Sequence, residues 1–263
     1  MTRASPLTRP FANPLVIDTV RGIAQSSRVH KDCLLYLLGL ATVVFIWWPK
    51  QSLTEVLQRQ NSPDTLLVAL LGCGAIVAWF SARAGAEDFA LNGQHGLRDW
   101  VAGTPLALSK ILSGYLYSHL LQCVHLVALT LPIILLTFSV SGGQWPSMAM
   151  CLAMAVVQSV FYRLTAAAIY IAIGKHAALT AISVRALVLL TYAITASIVP
   201  VASHVVITVN NLDGGSSARG IHATSASVQF LAFYTVASIV VLYVLYRQLS
   251  SLRARLVEDD VRQ

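Results

Sequence analysis

Residues 111–140 read ILSGYLYSHLLQCVHLVALTLPIILLTFSV, thirty consecutive positions without an Asp, Glu, Lys or Arg. A helix crossing the hydrocarbon of a bilayer needs about 20 largely apolar residues. This run exceeds that length, so it predicts a membrane span that either tilts or projects beyond the hydrocarbon. Outward from it, five more stretches have the length and composition of spans or nearly so: 33–48, 65–82, 148–173, 177–201 and 228–246. The first is short, but Val29 can extend it, and Trp47–Trp48 before Pro49 make an interfacial anchor. The whole chain agrees. Of its 263 residues, 56% are hydrophobic and only 11% charged, whereas a soluble domain carries about 25% charged residues. A soluble globular fold and intrinsic disorder are both excluded. The expected fold is an all-α integral membrane protein with six transmembrane helices.

Charge sets the orientation. The net charge is +7, and 15 of the 18 Lys and Arg fall in compartments that six crossings place on one side; only Lys50, Arg59 and Arg219 fall on the other. Basic residues stay cytoplasmic, so both termini are expected in the cytoplasm. The N-terminal region has no leader-like pattern of an apolar core followed by a small-residue exit. Cys33, Cys73, Cys123 and Cys151 lie inside or at the edge of apolar runs without a CxxC pair, and read as small packing residues.

Domain organisation follows. Residues 1–32 form a cytoplasmic segment, 33–246 the six-span domain with a cytoplasmic linker at 83–110, and 247–263 a cytoplasmic tail. Within the first segment, Asn13–Pro14 is a helix start, with a capping side chain and a proline at the first helical position. Val16, Val20 and Ile23 then recur at helical spacing, which predicts a short helix lying in the inner interface. The linker holds Glu87, Asp88 and Asp99, is punctuated by Gly93 and Gly96, and predicts a second non-crossing helix at about 97–103. The Gly/Ser-rich segment 202–227 reads as an outer loop.

The linker and the opening of the following span, GLRDWVAGTPLALSKILSGYL over 96–116, resemble the cytoplasmic segment of ABC-2 type transporter permeases. Gly96, Asp99, the Thr104–Pro105–Leu106 turn, and Ile111, Leu112, Gly114 and Leu116 match that family's pattern. Leu97 and Arg98 replace its usual Thr-Leu, and Tyr115 stands where a lysine is common; the local match covers about 21 residues. The resemblance implies a coupling helix that docks on a separate ABC ATPase subunit, with ATP bound by that partner and no cofactor in this chain. It also implies a second membrane subunit, and an export cycle that alternates between inward-facing and outward-facing states. Leu97, Arg98, Asp99, Trp100, Val101, Thr104 and Pro105 are the docking candidates: Leu97, Trp100 and Val101 offer apolar contact, and Arg98 and Asp99 a polar rim. The plainer alternative is a solvated loop whose Trp100 rests on lipid headgroups.

No phosphate loop of the GxxxxGK[ST] type occurs, so ATP hydrolysis is not expected in this chain. Ser141–Gly142–Gly143–Gln144 spells the core of the ABC ATPase signature, but it lies in the outer turn between spans three and four and reads as a tight turn. GxSxG and HExxH patterns are absent too.

Polar residues within spans are functional candidates because burying them in hydrocarbon is costly. Tyr115, Ser118, Gln122 and His125 share one face of the third span, which either lines a translocation path or supplies interhelical hydrogen bonds. Arg163 and Arg185 sit at similar depth on the fourth and fifth spans. The favoured reading has them snorkelling or pairing with Glu87, Asp88 or Asp99; the sharper one makes them a cationic patch for an anionic lipid or substrate headgroup. Gly74, Ala78 and Ala82 form a ridge of small residues suited to close helix packing. The expectation is therefore a permease subunit of an ATP-driven exporter in a bacterial inner membrane. Alternatives are a haem-exporter-like subunit of cytochrome c maturation, a non-transporting scaffold, and a haem carrier using His119, His125, His176 or His204.

Overall fold

The computed structural model describes residues 13–50, 55, 63–87, 101, 104, 106–142, 144–173, 177–213 and 217–262. Among these the regular structure is helical, without strands. In chain order the helices are α1 Pro14–Gln25, α2 Ser27–Ile46, α3 Pro63–Glu87, α4 Leu108–Ser141, α5 Trp145–Ile173, α6 Ala177–Ile198, α7 His204–Asp213 and α8 Ser217–Arg262. Five are long and apolar enough to cross a membrane: α2 over Val29–Ile46, α3 over Asp64–Ala86, α4, α5, and α8 over Ser225–Ala254. The described apolar part of α6, Ile182–Ile198, is shorter.

Local sequence accounts for the helix ends. Asn13 caps α1 by accepting a hydrogen bond from the Leu15 amide at 3.1 Å, and Pro14 follows it at the first helical position. Ser26 accepts from the Val29 amide to start α2. Gly142 ends α4 in the left-handed region at φ 67°, where an L side chain would be strained. The turn it opens brings Phe138 and Trp145 to 4.3 Å between ring centroids, closing α4 onto α5.

The core is built around α3 and α5, the most extensively packed pair of helices. Ala78 and Ala82 of α3 are buried against Tyr162 and Ala166 of α5 and Val184 and Val188 of α6. One turn further along α3, a Cβ at Gly85 would collide with the backbone carbonyl of Arg163, so only glycine allows the two backbones to come this close. A second cluster joins α3 (Leu66, Leu70, Val77), α5 (Met154), α7 (Ile207) and α8 (Phe230, Tyr234).

Three boundaries differ from the sequence expectation. Residues 202–227 are not an open loop. A single 3-10 turn at Pro200–Ala202 leads into α7, which is packed into the bundle, and α8 already begins at Ser217. Asn211 of α7 donates to the Ser227 hydroxyl of α8 at 3.0 Å, both buried, so the polar residues that suggested a loop satisfy one another. His204, which falls in the segment read as an outer loop, is 1% exposed; it lies against Gly74 and beside the Phe230 ring. The segment after Arg247 is not a separate tail: α8 continues to Arg262, and Leu249 is buried with Leu245 among α4, α5 and Val101. Finally, α6 ends at Ile198, before the expected 201.

Candidate functional site

A cavity of about 340 Å³ opens between α1, α2, α3, α4 and α5. Its inner wall comes from one face of α4. Tyr115, Ser118, Gln122 and His125 all line it, joined by His119, and Arg163 enters from α5. Five of the six residues proposed for a translocation path are therefore brought together. Arg185 is the exception: it lies on the exposed side of α6, with its guanidinium 5.9 Å from the Trp79 ring centroid.

Arg163 is the deepest charge of the site, 4% exposed. The expectation that it snorkels toward the interface is corrected, because its side chain turns into the bundle. Its Nε donates to the Tyr115 hydroxyl at 3.2 Å, and its guanidinium stands 5.0 Å from the Tyr115 ring centroid. Nη1 donates to Gln122 Oε1 and meets His119 Nδ1 at 3.1 Å. The Arg163 backbone packs directly on Gly85 of α3, where a Cβ would collide with its carbonyl. Of the carboxylates that might have paired with it, Asp88 and Asp99 lie outside the described residues, as does the side chain of Glu87.

Donor and acceptor roles follow from chemistry. A guanidinium only donates, so His119 Nδ1 accepts and the imidazole carries its hydrogen on Nε2. That hydrogen faces Ser159 Oγ at 3.3 Å, and Ser159 in turn donates to the Val156 carbonyl at 2.6 Å. Cys123 Sγ lies 3.0 Å from Ser159 Oγ and 3.3 Å from His119 Nε2. A thiol beside an imidazole suggests nucleophilic chemistry, but here the nearer nitrogen already holds a proton and cannot take one from sulfur. The arrangement suits holding a buried cation better than activating a thiol.

The outer wall was not anticipated. Leu15, Asp18 and Thr19 of α1 and Val29, Asp32 and Cys33 of α2 complete the cavity. Asp18 is exposed and Asp32 half-buried. Amphipathic spacing marked α1 as an interfacial helix, yet nothing in that spacing says which face of which span it covers. His119, which the sequence reading offered only as a haem-carrier candidate, is four residues from Tyr115 and three from Gln122, and so shares their face.

The α1 helix is pinned to the start of α4. Asn13 Nδ2 donates to the Lys110 carbonyl at 2.9 Å, and the Ser118 hydroxyl to the Leu15 carbonyl at 3.2 Å. Gly114 lies directly beneath the Asn13 side chain, which fills the space a Cβ would take.

Of the docking candidates, Leu97, Arg98, Asp99, Trp100 and Pro105 lie outside the described residues, as does most of the expected helix at 97–103. Val101 is fully buried with Leu108, Ile111 and Leu112 of α4 and Leu245 and Leu249 of α8. Arg253 of α8 donates to the carbonyls of Thr104 at 2.8 Å and Leu106 at 2.9 Å. Among the described residues no group of three or more His, Cys, Asp or Glu is placed to hold a metal ion. Family models, characterised proteins and solved structures give no match to this chain.

Proposed function

We propose that this chain is the membrane-spanning subunit of an ATP-binding cassette transporter of the ABC-2 type, with six crossings and both termini in the cytoplasm of a bacterial inner membrane. It works as an exporter of an amphipathic substrate, paired with a second membrane subunit, while separate ATPase subunits bind and hydrolyse ATP. The observation that carries this reading is the grip on the returning limb of the linker. Val101 is buried between α4 and α8, and Arg253 holds the carbonyls on either side of position 105. A force applied to the linker from outside the bilayer would pass to two long helices at once, as a coupling element requires. The sixth crossing is assigned to α6 with its flanking turn, since α1 and the end of α8 both bind the start of α4, which favours an even number of crossings.

The test is co-purification. Trp100→Asp places a charge in the proposed docking contact and is expected to abolish recovery of the ATPase subunit while membrane insertion stays intact. If the ATPase still co-purifies in wild-type amount, the docking role fails.

A further inference from the structure

We propose that α1 is a hatch over the cavity: pivoting at Ser26, it lifts from α4 and opens the buried wall formed by α4 and α5 to the membrane interface. Little holds this helix down. Of its 12 residues only Val16 is buried, and α1 packs chiefly on α4. The contacts gather at its first turn. The Asn13 side chain sits over Gly114 and donates to the Lys110 carbonyl, while the Ser118 hydroxyl donates to the Leu15 carbonyl. Leu15 itself rests on the cluster that holds Ile111, Leu112 and Tyr115. At its other end α1 is joined to α2 through one residue, Ser26, which is extended at φ −80° and ψ 116°. Hinges are commonly a few residues at the ends of elements. Asn13 on Gly114 is the latch and Ser26 the hinge.

What lies beneath gives the motion a purpose. Tyr115, Ser118, His119, Cys123 and Arg163 line the cavity, yet each is 5% exposed or less. Leu15, Thr19 and Ile23 of α1 line the same cavity. The other walls are spans packed on one another, so α1 is the wall that can move without unpacking the bundle. Opening also costs less here than it would in water. Ile17 and Val20 are already exposed, and a short amphipathic helix in the interface keeps its apolar face among the acyl chains. Released, α1 exchanges protein contacts for lipid. The hatch governs entry whatever the bundle carries, so it stands apart from the transporter reading.

The experiment uses the full-length chain with its native cysteines, in phosphatidylcholine vesicles, treated with membrane-permeant N-ethylmaleimide. Peptide mass spectrometry reads the labelling rate at each cysteine. Cys123 reports from beneath α1; Cys151, 2% exposed and facing Asn211 of α7, reports from the core outside the cavity. N13C/G114C allows a disulfide to staple the latch, because the side chain at 13 already meets the Cβ position of 114. The stapled form is expected to label at Cys123 about tenfold more slowly than the same protein reduced and desalted. G114L, which fills the seat of Asn13, should speed Cys123 about tenfold, the scale of one or two hydrogen bonds. Cys151 should not change in either. Labelling at Cys123 that is indifferent to the staple would overturn the hatch, as would G114L raising Cys151 as much as Cys123. A pair that does not cross-link under oxidant would overturn the latch. If G114L does not stay folded, the staple decides alone.

Discussion

Arg163 carries a large local cost, a cation held within a helix of 29 residues that is otherwise apolar enough to span a bilayer. The neighbours that offset that cost include the Tyr115 hydroxyl, His119 Nδ1 and Gln122 Oε1. Replacing it with methionine keeps an unbranched apolar stem but removes every donor, so His119 Nδ1 and Gln122 Oε1 on α4 lose the guanidinium, as does the Tyr115 hydroxyl. Each interhelical hydrogen bond in a membrane protein contributes about 0.6 kcal/mol on average, and an acceptor left buried and unpaired costs about 1–3 kcal/mol. Arg163→Met is therefore expected to lower stability in micelles by about 1–3 kcal/mol, read from unfolding in SDS titrations. Arg163→Lys should recover little, because one ammonium cannot reproduce a planar fork that reaches three groups. A lysine variant as stable as the parent would show that charge alone, and not geometry, is what the site uses. The residue types of this cluster could be read from the sequence, since their spacing on α4 set most of them on one face. That Arg163 turns inward could not, because the same sequence allows a snorkelling arginine; its contacts with Tyr115, His119 and Gln122 of α4 decide it.

At the scale of elements, α8 shows how a boundary drawn from hydropathy misleads. Charge begins at Arg247, so a span was expected to end there, yet the helix runs to Arg262. Leu245, Leu249 and Leu252 recur at spacings of four and three, which is a helical stripe with no need of lipid, and Leu249 is fully buried beside Val101. Arg253 stands one residue beyond that stripe and binds two carbonyls of the linker. Arg253→Met should release both. Hydrogen–deuterium exchange is expected to rise across the linker's end and the first turn of α4, while exchange in α5 stays unchanged. A rise spread evenly through the bundle would instead mean that the variant loosens the whole fold. The same lesson holds for α7. Its His and Asn content resembles that of a loop, but Asn211 and Ser227 pair across two helices, and a sequence read in one dimension does not reveal partners 16 residues apart.

For the whole molecule, six crossings put both termini on one side and five put them on opposite sides. In a variant lacking the four native cysteines, single cysteines near either terminus should resist a membrane-impermeant maleimide in intact cells. Glu55→Cys, between α2 and α3, should label. Labelling at one terminus alone would establish an odd number of crossings and remove α6 from the count. The sequence by itself determined the solvent of this protein and the class of its fold: long runs without charge have no other stable home, and in hydrocarbon a helix satisfies every backbone group from within its own segment. It also determined where α1 begins, because a capping asparagine and a proline act locally. Only the tertiary structure decided which helices touch, that α1 closes a cavity over Tyr115 and Arg163, and that α7 belongs to the core. Those outcomes rest on close backbone approaches and on hydrogen bonds between distant residues, whose energies depend on geometry that no local pattern encodes.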